Sequence, residues 1–521
     1  MSQKLDINNW LGGISFSDRL GKEGSYFVGR SINPHNTANF GYLCPGAEPT
    51  NITSTISQVA SGVLDNYNNK LYLLEASTGI RQYNLIGSRF TWGTVYPHTI
   101  SNTGSNLPVG EDITIYPIGD TNYLLYAWLG YNTTQTTVGK VKLSPTSSND
   151  FDEDFMAKEP AGASYFSGAQ TSPNFPHPML KWGSSGFLYI GDGRNLHQFD
   201  GQTGANGTLT KNKFQLPRFW VITSLFDAGE FIGITARYNP SSTWIQALYG
   251  NETAVFFWDG TSSQFTKRVN VEDIEIVASK NLNGEFYIFG INLLSEGTIR
   301  KWDGARFVLE KIISKNVNYA SYSSTRASLR RFRDVDIFQN MLIFTAGIPR
   351  STPGIGDGDI YLYGSSKEEI PKSLFHFGRA IAGTNVVPYA IFITYDYIYV
   401  SSYNPDVGIY YFSKLSPTGV NATDFLYKSL YYEFPQTARI NSVTLYFKEL
   451  SGSQGDDVLI DYDYGIGNKH LGNISHAEDG DITSKELSGK NILCDNLRIV
   501  IQPDEGAGIK YGKISIDYDL I

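Results

Sequence analysis

The sequence predicts an all-β chain: a β-propeller of seven blades, with an extended arm before it and a β-sandwich after it. Three observations carry this. A two-stranded unit recurs seven times between residues 51 and 425. The composition favours strands and tight turns, with 34 Tyr, 30 Phe and 52 Gly against 4 Met in 521 residues. Beyond residue 425 the texture changes to longer strands with clean alternation.

The units follow one another in order. Leu71-Tyr-Leu-Leu74 precedes Ile80-Arg-Gln-Tyr83, and Tyr123-Leu-Leu-Tyr126 precedes Lys140-Val-Lys-Leu143. Phe187-Leu-Tyr-Ile190 precedes Leu196-His-Gln-Phe199, and Phe231-Ile-Gly-Ile234 precedes Val255-Phe-Phe-Trp258. Phe286-Tyr-Ile-Phe289 precedes Ile299-Arg-Lys-Trp302, and Met341-Leu-Ile-Phe344 precedes Ile360-Tyr-Leu-Tyr363. Tyr397-Ile-Tyr-Val400 precedes Ile409-Tyr-Tyr-Phe412. Successive copies end 44 to 61 residues apart, the period of a propeller blade. Three continue into Asp-Gly turns, at Asp200, Asp259 and Asp303.

Residues at i and i+3 of a strand point to opposite faces. The second motif is aliphatic-x-x-aromatic, so both faces of each sheet need cover. Blades stacked on neighbours supply it, whereas a surface hairpin does not. The count is seven, or six if the first or second unit belongs elsewhere.

Residues 1–50 form an arm rich in Asn, Gly and Ser. A segment this polar is expected to order only against a partner, with Trp10, Leu11, Tyr26 and Phe27 as its anchors. Residues 51–425 are the propeller, and residues 426–521 the sandwich. In the last of these, Ile514-Ser-Ile516-Asp-Tyr518-Asp-Leu520 alternates strictly, one face dry and one wet. One helix is expected, at Asp150–Lys158, stopped by Pro160.

Catalytic and metal patterns are few. The seven histidines make no HxH, HExxH or HxxxH spacing, and no GxSxG or Walker loop occurs. Cys44 and Cys494 stand 450 positions apart, so both read as free buried thiols. Acidic runs at Asp150–Asp154, Asp357–Asp359 and Asp479–Asp481 lack the spaced ligands of a calcium loop and read as solvated turns. The expectation is a chain with no catalytic, cofactor-binding or metal-binding residues, and not an enzyme. The formal charge of −9 argues against a surface built to grip nucleic acid. One basic run, Arg326, Arg330, Arg331 and Arg333, suits an interface. The first residues contain no apolar core like that of a secretory leader, and no run is long enough to insert stably in a membrane.

The first fifty residues also carry a resemblance. Trp10-Leu-Gly-Gly13, Gly29-Arg-Ser-Ile-Asn33 and Gly41-Tyr-Leu-Cys-Pro-Gly46 lead into the first blade. This arrangement resembles virion propeller proteins of tailed bacteriophages, of the tail hub or nozzle type. The resemblance implies a structural part of the particle, in tail or neck, assembled in the host cytoplasm and located in the virion. It implies other virion proteins as partners, and a homo-oligomeric ring, six-fold in that family, through which DNA passes without specific contact. Two alternatives stand beside it. One is a propeller that binds host-surface glycan, with Tyr403 or Trp244 stacking on sugar rings. The other is a polysaccharide-cleaving enzyme.

Overall fold

In a computed structural model of the chain, the structure describes residues 3–15, 19, 23, 25–35, 40–53, 59–65, 70–75, 79–84, 91–97, 109–129, 138–143, 151–152, 155, 177–202, 207–238, 252–294, 296–314, 335–347, 358–379, 387–393, 397–404, 407–416, 425–448, 455–480, 482–503 and 509–521. Among them, strands form seven four-stranded antiparallel sheets and one nine-stranded sheet.

Each recurrent unit is the middle pair of strands of one blade. Blade 1 comprises Val59–Asp65, Lys70–Glu75, Gly79–Asn84 and Thr91–Pro97; blade 2 comprises Val109–Ile118, Thr121–Leu129, Val138–Lys142 and Phe151–Asp152. Blade 3 comprises Met179–Trp182, Phe187–Asp192, Asn195–Asp200 and Thr208–Gln215; blade 4 comprises Trp220–Ala228, Phe231–Tyr238, Thr253–Trp258 and Lys267–Val271. Blade 5 comprises Glu275–Leu282, Glu285–Ile291, Gly297–Trp302 and Phe307–Ser314; blade 6 comprises Val335–Phe338, Met341–Gly347, Gly358–Gly364 and Ser373–Arg379. Blade 7 takes Val387–Ile393, Ile398–Asn404 and Ile409–Leu415, and its outermost strand is Pro49–Thr53, from the other end of the propeller. That strand pairs Pro49 with Leu415 and Thr53 with Phe412, and so latches the ring.

The two-faced burial is visible residue by residue. Leu71 and Leu73 pack with Ala390, Tyr399 and Phe412 of blade 7. Tyr72 and Leu74, on the opposite face, pack with Ile113, Leu124 and Tyr126 of blade 2. The i and i+3 residues of the repeated motif separate in the same way. Leu196 packs toward blade 4 and Phe199 toward blade 2; Ile299 packs toward blade 6 and Trp302 toward blade 4. Apolar area hidden on both faces at roughly 25 cal/mol per Å² is what holds the blades in a ring. The Asp-Gly turns work as expected. Asp259 accepts the N–H groups of Thr261 and Ser262 at 2.8 and 2.7 Å, and Asp303 those of Ala305 and Arg306 at 2.8 Å each. The Ser262 hydroxyl bond, together with these N–H bonds, holds the Asp259 carboxyl below its usual range, and the N–H bonds hold that of Asp303 below it.

The rest of the chain departs from expectation in three ways. First, residues 1–50 are not a free arm. Gln3–Ile7 pairs with Tyr511–Leu520, and Ser25–Arg30 pairs with Leu426–Ser429. Trp10 and Tyr26 are fully buried within their own chain, in one core with Tyr427, Ile440 and Ile514. Both ends of the chain supply strands, and Ile7, Trp10 and Tyr26 enter the shared core, so the segment needs no second molecule to order it. Second, the strands of residues 426–521 do not part into two sheets. Hydrogen bonds join them, with three strands from residues 1–30, into one nine-stranded sheet. The 20-residue strand Ser484–Pro503 is its spine, bonded to Tyr432–Phe447 and Leu426–Ser429 and also to Gly455–Tyr462. Third, the helix expected at 150–158 begins instead as the short outer strand Phe151–Asp152; among the described residues the α-helix is a single turn, His476–Asp479.

The second sheet is fixed to the outer strand of blade 6. Ile32 N–H donates to the His376 carbonyl at 2.8 Å, and Ser31 N–H to His376 Nδ1 at 2.8 Å. The outer edge is thereby covered by the chain itself, which removes a site for unwanted strand pairing. The core continues across the join, since Phe338, Met341, Phe375 and Phe377 of blade 6 belong to the same cluster as Trp10 and Tyr511.

Candidate functional site

Three places could carry function: the axial channel, a set of buried polar clusters, and one end of the propeller.

The channel has a volume of about 630 Å³ and is lined by the innermost strands of all seven blades, represented by Val63, Asp112, Met179, Phe226, Lys280, Asp336 and Ile391. Its polar groups tie neighbouring blades together. Asp112 accepts N–H groups from Ile113 at 2.8 Å and from Met179 of blade 3 at 3.0 Å. The Ser224 and Ser279 hydroxyls meet at 2.7 Å across blades 4 and 5. Lys280 Nζ bonds Asp336 at 3.0 Å across blades 5 and 6.

Three blades hold a buried acid paired with a base on the third strand. Glu75, fully buried, takes the guanidinium of Arg81 in blade 1. Asp273, fully buried, takes Arg300 Nε at 2.9 Å and Nη2 at 3.0 Å, and Thr298 Oγ1 at 2.8 Å. Burial alone would lower the Arg300 pKa; the Asp273 bonds and charge outweigh it and raise the pKa. In blade 3, Asp192 lies between His177 Nε2 at 3.4 Å and His197 Nε2 at 3.5 Å, all three buried. Burial pushes the Asp192 carboxyl up, yet the two imidazoles outweigh it and hold the pKa low.

Two histidines and a carboxylate raise the question of a metal. His197 Nδ1 accepts the Asn212 N–H at 3.1 Å, which assigns the ring proton to Nε2. The nitrogen facing Asp192 is then a donor and has no lone pair for a cation. The cluster is a buried electrostatic brace. Among the described residues, no group of three His, Cys, Asp or Glu is arranged to hold a metal ion.

The two ends of the propeller differ in their connections. In an antiparallel blade, the second-to-third strand link and the blade-to-blade link leave from the same end. The stretches 98–108, 153–178, 239–252, 315–334 and 348–357 all leave from that end. At the opposite end no link between strands of the blades exceeds eight residues, and the two longer segments there, 31–48 and 416–425, run to the second sheet. Long connections on a rigid scaffold are where binding residues concentrate. These stretches combine Tyr165, Phe166, Trp244, Tyr249, Tyr319 and Tyr322 with many Ser, Asn and Gly. Such a mixture gives large, stiff contact area beside adaptable hydrogen bonding.

Among the described residues, five of the propeller's seven exposed large apolar side chains lie at the same end; the other two, Leu309 and Ile337, lie toward the opposite one. The five are Phe219 at 38%, Leu293 at 71%, Leu294 at 73%, Val407 at 58% and Ile409 at 37%. Phe219 has φ +71°, which a β-carbon disfavours. It meets Tyr238 edge-on at 6.1 Å, and the Arg218 guanidinium lies 4.6 Å from its ring centroid. Backbone strain that holds an aromatic outward marks a position kept for contact.

The residues expected from sequence are scattered. Trp10 and Tyr26 are in the core and Leu11 is half-buried. Phe27 lies in a described strand, but its side chain is outside the described residues, as are Arg326, Arg330, Arg331 and Arg333 in the long link 315–334. Trp244 and the side chain of Tyr403 are likewise outside them. Of the acidic runs, Asp479 bonds Lys485 at 2.6 and 2.7 Å, while Asp150, Asp154, Asp357 and Asp481 fall outside the described residues. Both thiols are buried, which pushes each up to about 12. Sequence reasoning missed the exposed Phe219 and the Leu293-Leu294 pair; the only signal was two leucines inside a turn with Asn292.

No family model matches the chain, and no curated protein matches it. Among solved structures it is similar to the Dos1 propeller, at 12% identity over 71% of this chain and 94% of that one, TM-score 0.39. It is similar to Raptor of Chaetomium thermophilum, at 10% identity over 72% of this chain and 30% of that one, TM-score 0.45. It is also similar to the Pan2 WD40 domain of Neurospora crassa, at 10% identity over 72% and 96%, TM-score 0.41. No function is carried over from any of them.

Proposed function

We propose that the protein is a non-enzymatic structural component of a tailed-phage particle, in tail hub, nozzle or neck, that docks on neighbouring proteins through the long-link end of its propeller. One observation carries the docking role: the strand ends from which the long Tyr-rich links leave, most of whose own residues lie outside the described ones, share one end of the propeller with the exposed Phe219, Leu293, Leu294, Val407 and Ile409. The buried acids support a non-catalytic reading, since Asp273, Asp192 and Glu75 are bound by bases within their own blades. The particle role is supported by the resemblance of the segments around Trp10, Gly29 and Gly46 to phage propeller proteins.

The test is replacement of residues 315–334 by a short Gly-Ser link, followed by mass spectrometry and imaging of purified particles. The unaltered protein is expected in the particle, and the shortened one is expected to fold yet stay out of it. Absence of the unaltered protein from particles refutes the role, and normal incorporation of the shortened one refutes the docking end.

A second reading, glycan binding, draws on the strained, outward Phe219 beside Tyr238 and Arg218. A glycan array with Phe219→Ala as control separates the two. Binding lost in the variant favours glycan recognition.

A further inference from the structure

Three blades share one construction at the end opposite the long links. The third strands of blades 3, 4 and 5 run into Asp-Gly turns, and Gly201, Gly260 and Gly304 of those turns face the preceding blade. What meets each glycine is set by one position on the preceding blade's innermost strand. It pairs with the aromatic residue that opens the recurrent unit. In blades 2, 3 and 4 that position is Tyr116, Trp182 and Ala228, paired with Tyr123, Phe187 and Phe231.

Two of the three corners are filled by a ring. A β-carbon on Gly201 would lie 2.8 Å from Tyr116 Cε1, and one on Gly260 would lie 2.6 Å from Trp182 Cζ3. Each ring also donates a hydrogen bond to the first hairpin of the next blade. Tyr116 Oη donates to the Gly186 carbonyl at 3.1 Å, and Trp182 Nε1 to the Gly229 carbonyl at 3.2 Å. The third corner is open. Ala228 carries no ring, and a β-carbon on Gly304 would meet nothing within 4 Å. A cleft of about 360 Å³ remains between blades 4 and 5, lined by Ala228 and Gly304 and walled by Phe231, Phe257, Phe286 and Trp302. Exposed Lys267 and Glu230 stand at its rim. Lys267 Nζ donates to the Gly304 carbonyl at 3.2 Å and lies 4.5 Å from the Trp302 ring centroid. On the adjoining turn Arg306 and Asp303 pair with each other at 3.8 Å.

We propose that this cleft receives a Trp or Tyr side chain of a partner protein, carried on an uncharged stretch of its chain. The two filled corners show what the construction takes: a flat ring with an N–H or O–H at its edge. Four aromatic walls supply edge and face contacts to such a ring. The hairpin of blade 5 that corresponds to those at Gly186 and Gly229 is Asn283-Gly284, whose carbonyls offer the acceptor. The rim selects the flanks by charge. An acidic segment meets Glu230 and a basic one meets Lys267, whereas a neutral backbone gives a carbonyl to the ammonium and an N–H to the carboxylate. This goes beyond the docking role above, which concerns the opposite end of the propeller.

The experiment is calorimetric titration of the full chain with acetyl-Gly-Gly-Trp-Gly-Gly-amide to about 5 mM, because a single buried side chain gives weak binding. Saturable binding is expected, and its absence overturns the proposal. The same peptide with Leu for Trp is expected to bind about fivefold or more weakly; equal affinity overturns the aromatic slot. Free tryptophan binding as tightly as the peptide overturns the polypeptide occupant. Ala228→Trp is expected to plug the cleft as Trp182 plugs its own corner, keeping the parent's melting temperature and lowering affinity by about tenfold or more. A folded variant with unchanged affinity overturns the site. Lys267→Ala with Glu230→Ala alters exposed positions alone, and so decides the matter should Ala228→Trp not fold: weaker binding is expected, and unchanged affinity overturns the role of the rim. Residues 315–334 take no part, so failure here and failure of the docking role are told apart.

Discussion

A β-carbon on Gly46 would fall 1.9 Å from the carbonyl oxygen of Phe377. The residue sits where the N-terminal segment crosses the outer strand of blade 6, with its N–H bonded to Ser31 O at 2.6 Å. Gly13, at φ +72°, makes a similar crossing, and a β-carbon there would lie 2.5 Å from the Leu374 carbonyl oxygen. Gly13 and Gly46, from two of the three N-terminal motifs, therefore mark contact between the second sheet and the propeller.

Gly46→Ala is expected to cost about 3 kcal/mol or more, because backbone cannot yield to a methyl group at that distance. Gly41→Ala is the control. Its φ is +83° with nothing within 4 Å of the added carbon, so the cost is backbone strain of about 1–2 kcal/mol. Urea unfolding followed by tryptophan fluorescence compares them. Equal losses would contradict the crossing argument.

Asp273→Asn leaves the buried Arg300 guanidinium without its buried counter-charge, with only the exposed Glu272 carboxylate, 3.2 Å from Nη1, still beside it. The loss expected is about 3–5 kcal/mol. Adding Arg300→Met removes the stranded charge and should recover part of it. Denaturant midpoints of the two variants and the parent decide the point; a double variant less stable than the single one would contradict it.

His35 is enclosed by Phe40 and Phe375 and bonds Ser366 Oγ at 2.9 Å. Burial lowers its pKa from 6.5 to about 4. The unfolded chain takes up this proton from pH 6.5 downward, while the folded one resists until about pH 4. Its share of stability is thus complete above pH 6.5 and is lost as the pH falls toward 4, on the order of 3 kcal/mol in all. His35→Gln should flatten that part of the stability-against-pH curve. Parallel curves for variant and parent would count against it.

Trp10→Ala opens a void in the core shared by the second sheet and blades 6 and 7. The expected loss is about 3–5 kcal/mol. Because that core is continuous, one unfolding transition should shift as a whole. Calorimetry showing two transitions, with only one displaced, would mean that the halves fold independently.

What the chain's order of residues determined was local. Alternation and the repeated aliphatic-x-x-aromatic motif specify which faces are dry, and seven doubly dry hairpins can hide their faces only by stacking in a ring. Val255 toward blade 5 and Trp258 toward blade 3 show that rule at work. What only the tertiary structure decided was pairing across long separations. Nothing near Gln3 announces Tyr518, its strand partner, and nothing near Pro49 announces Leu415. The polar strand Gln3–Ile7 reads as arm because its hydrogen-bonded partner is a strand about 500 residues away. The exposed Leu293 and the cleft at Phe286 were hidden for the same reason. Exposure belongs to the assembled surface, and an apolar residue in a strand pattern looks alike whether its neighbour covers it or leaves it open.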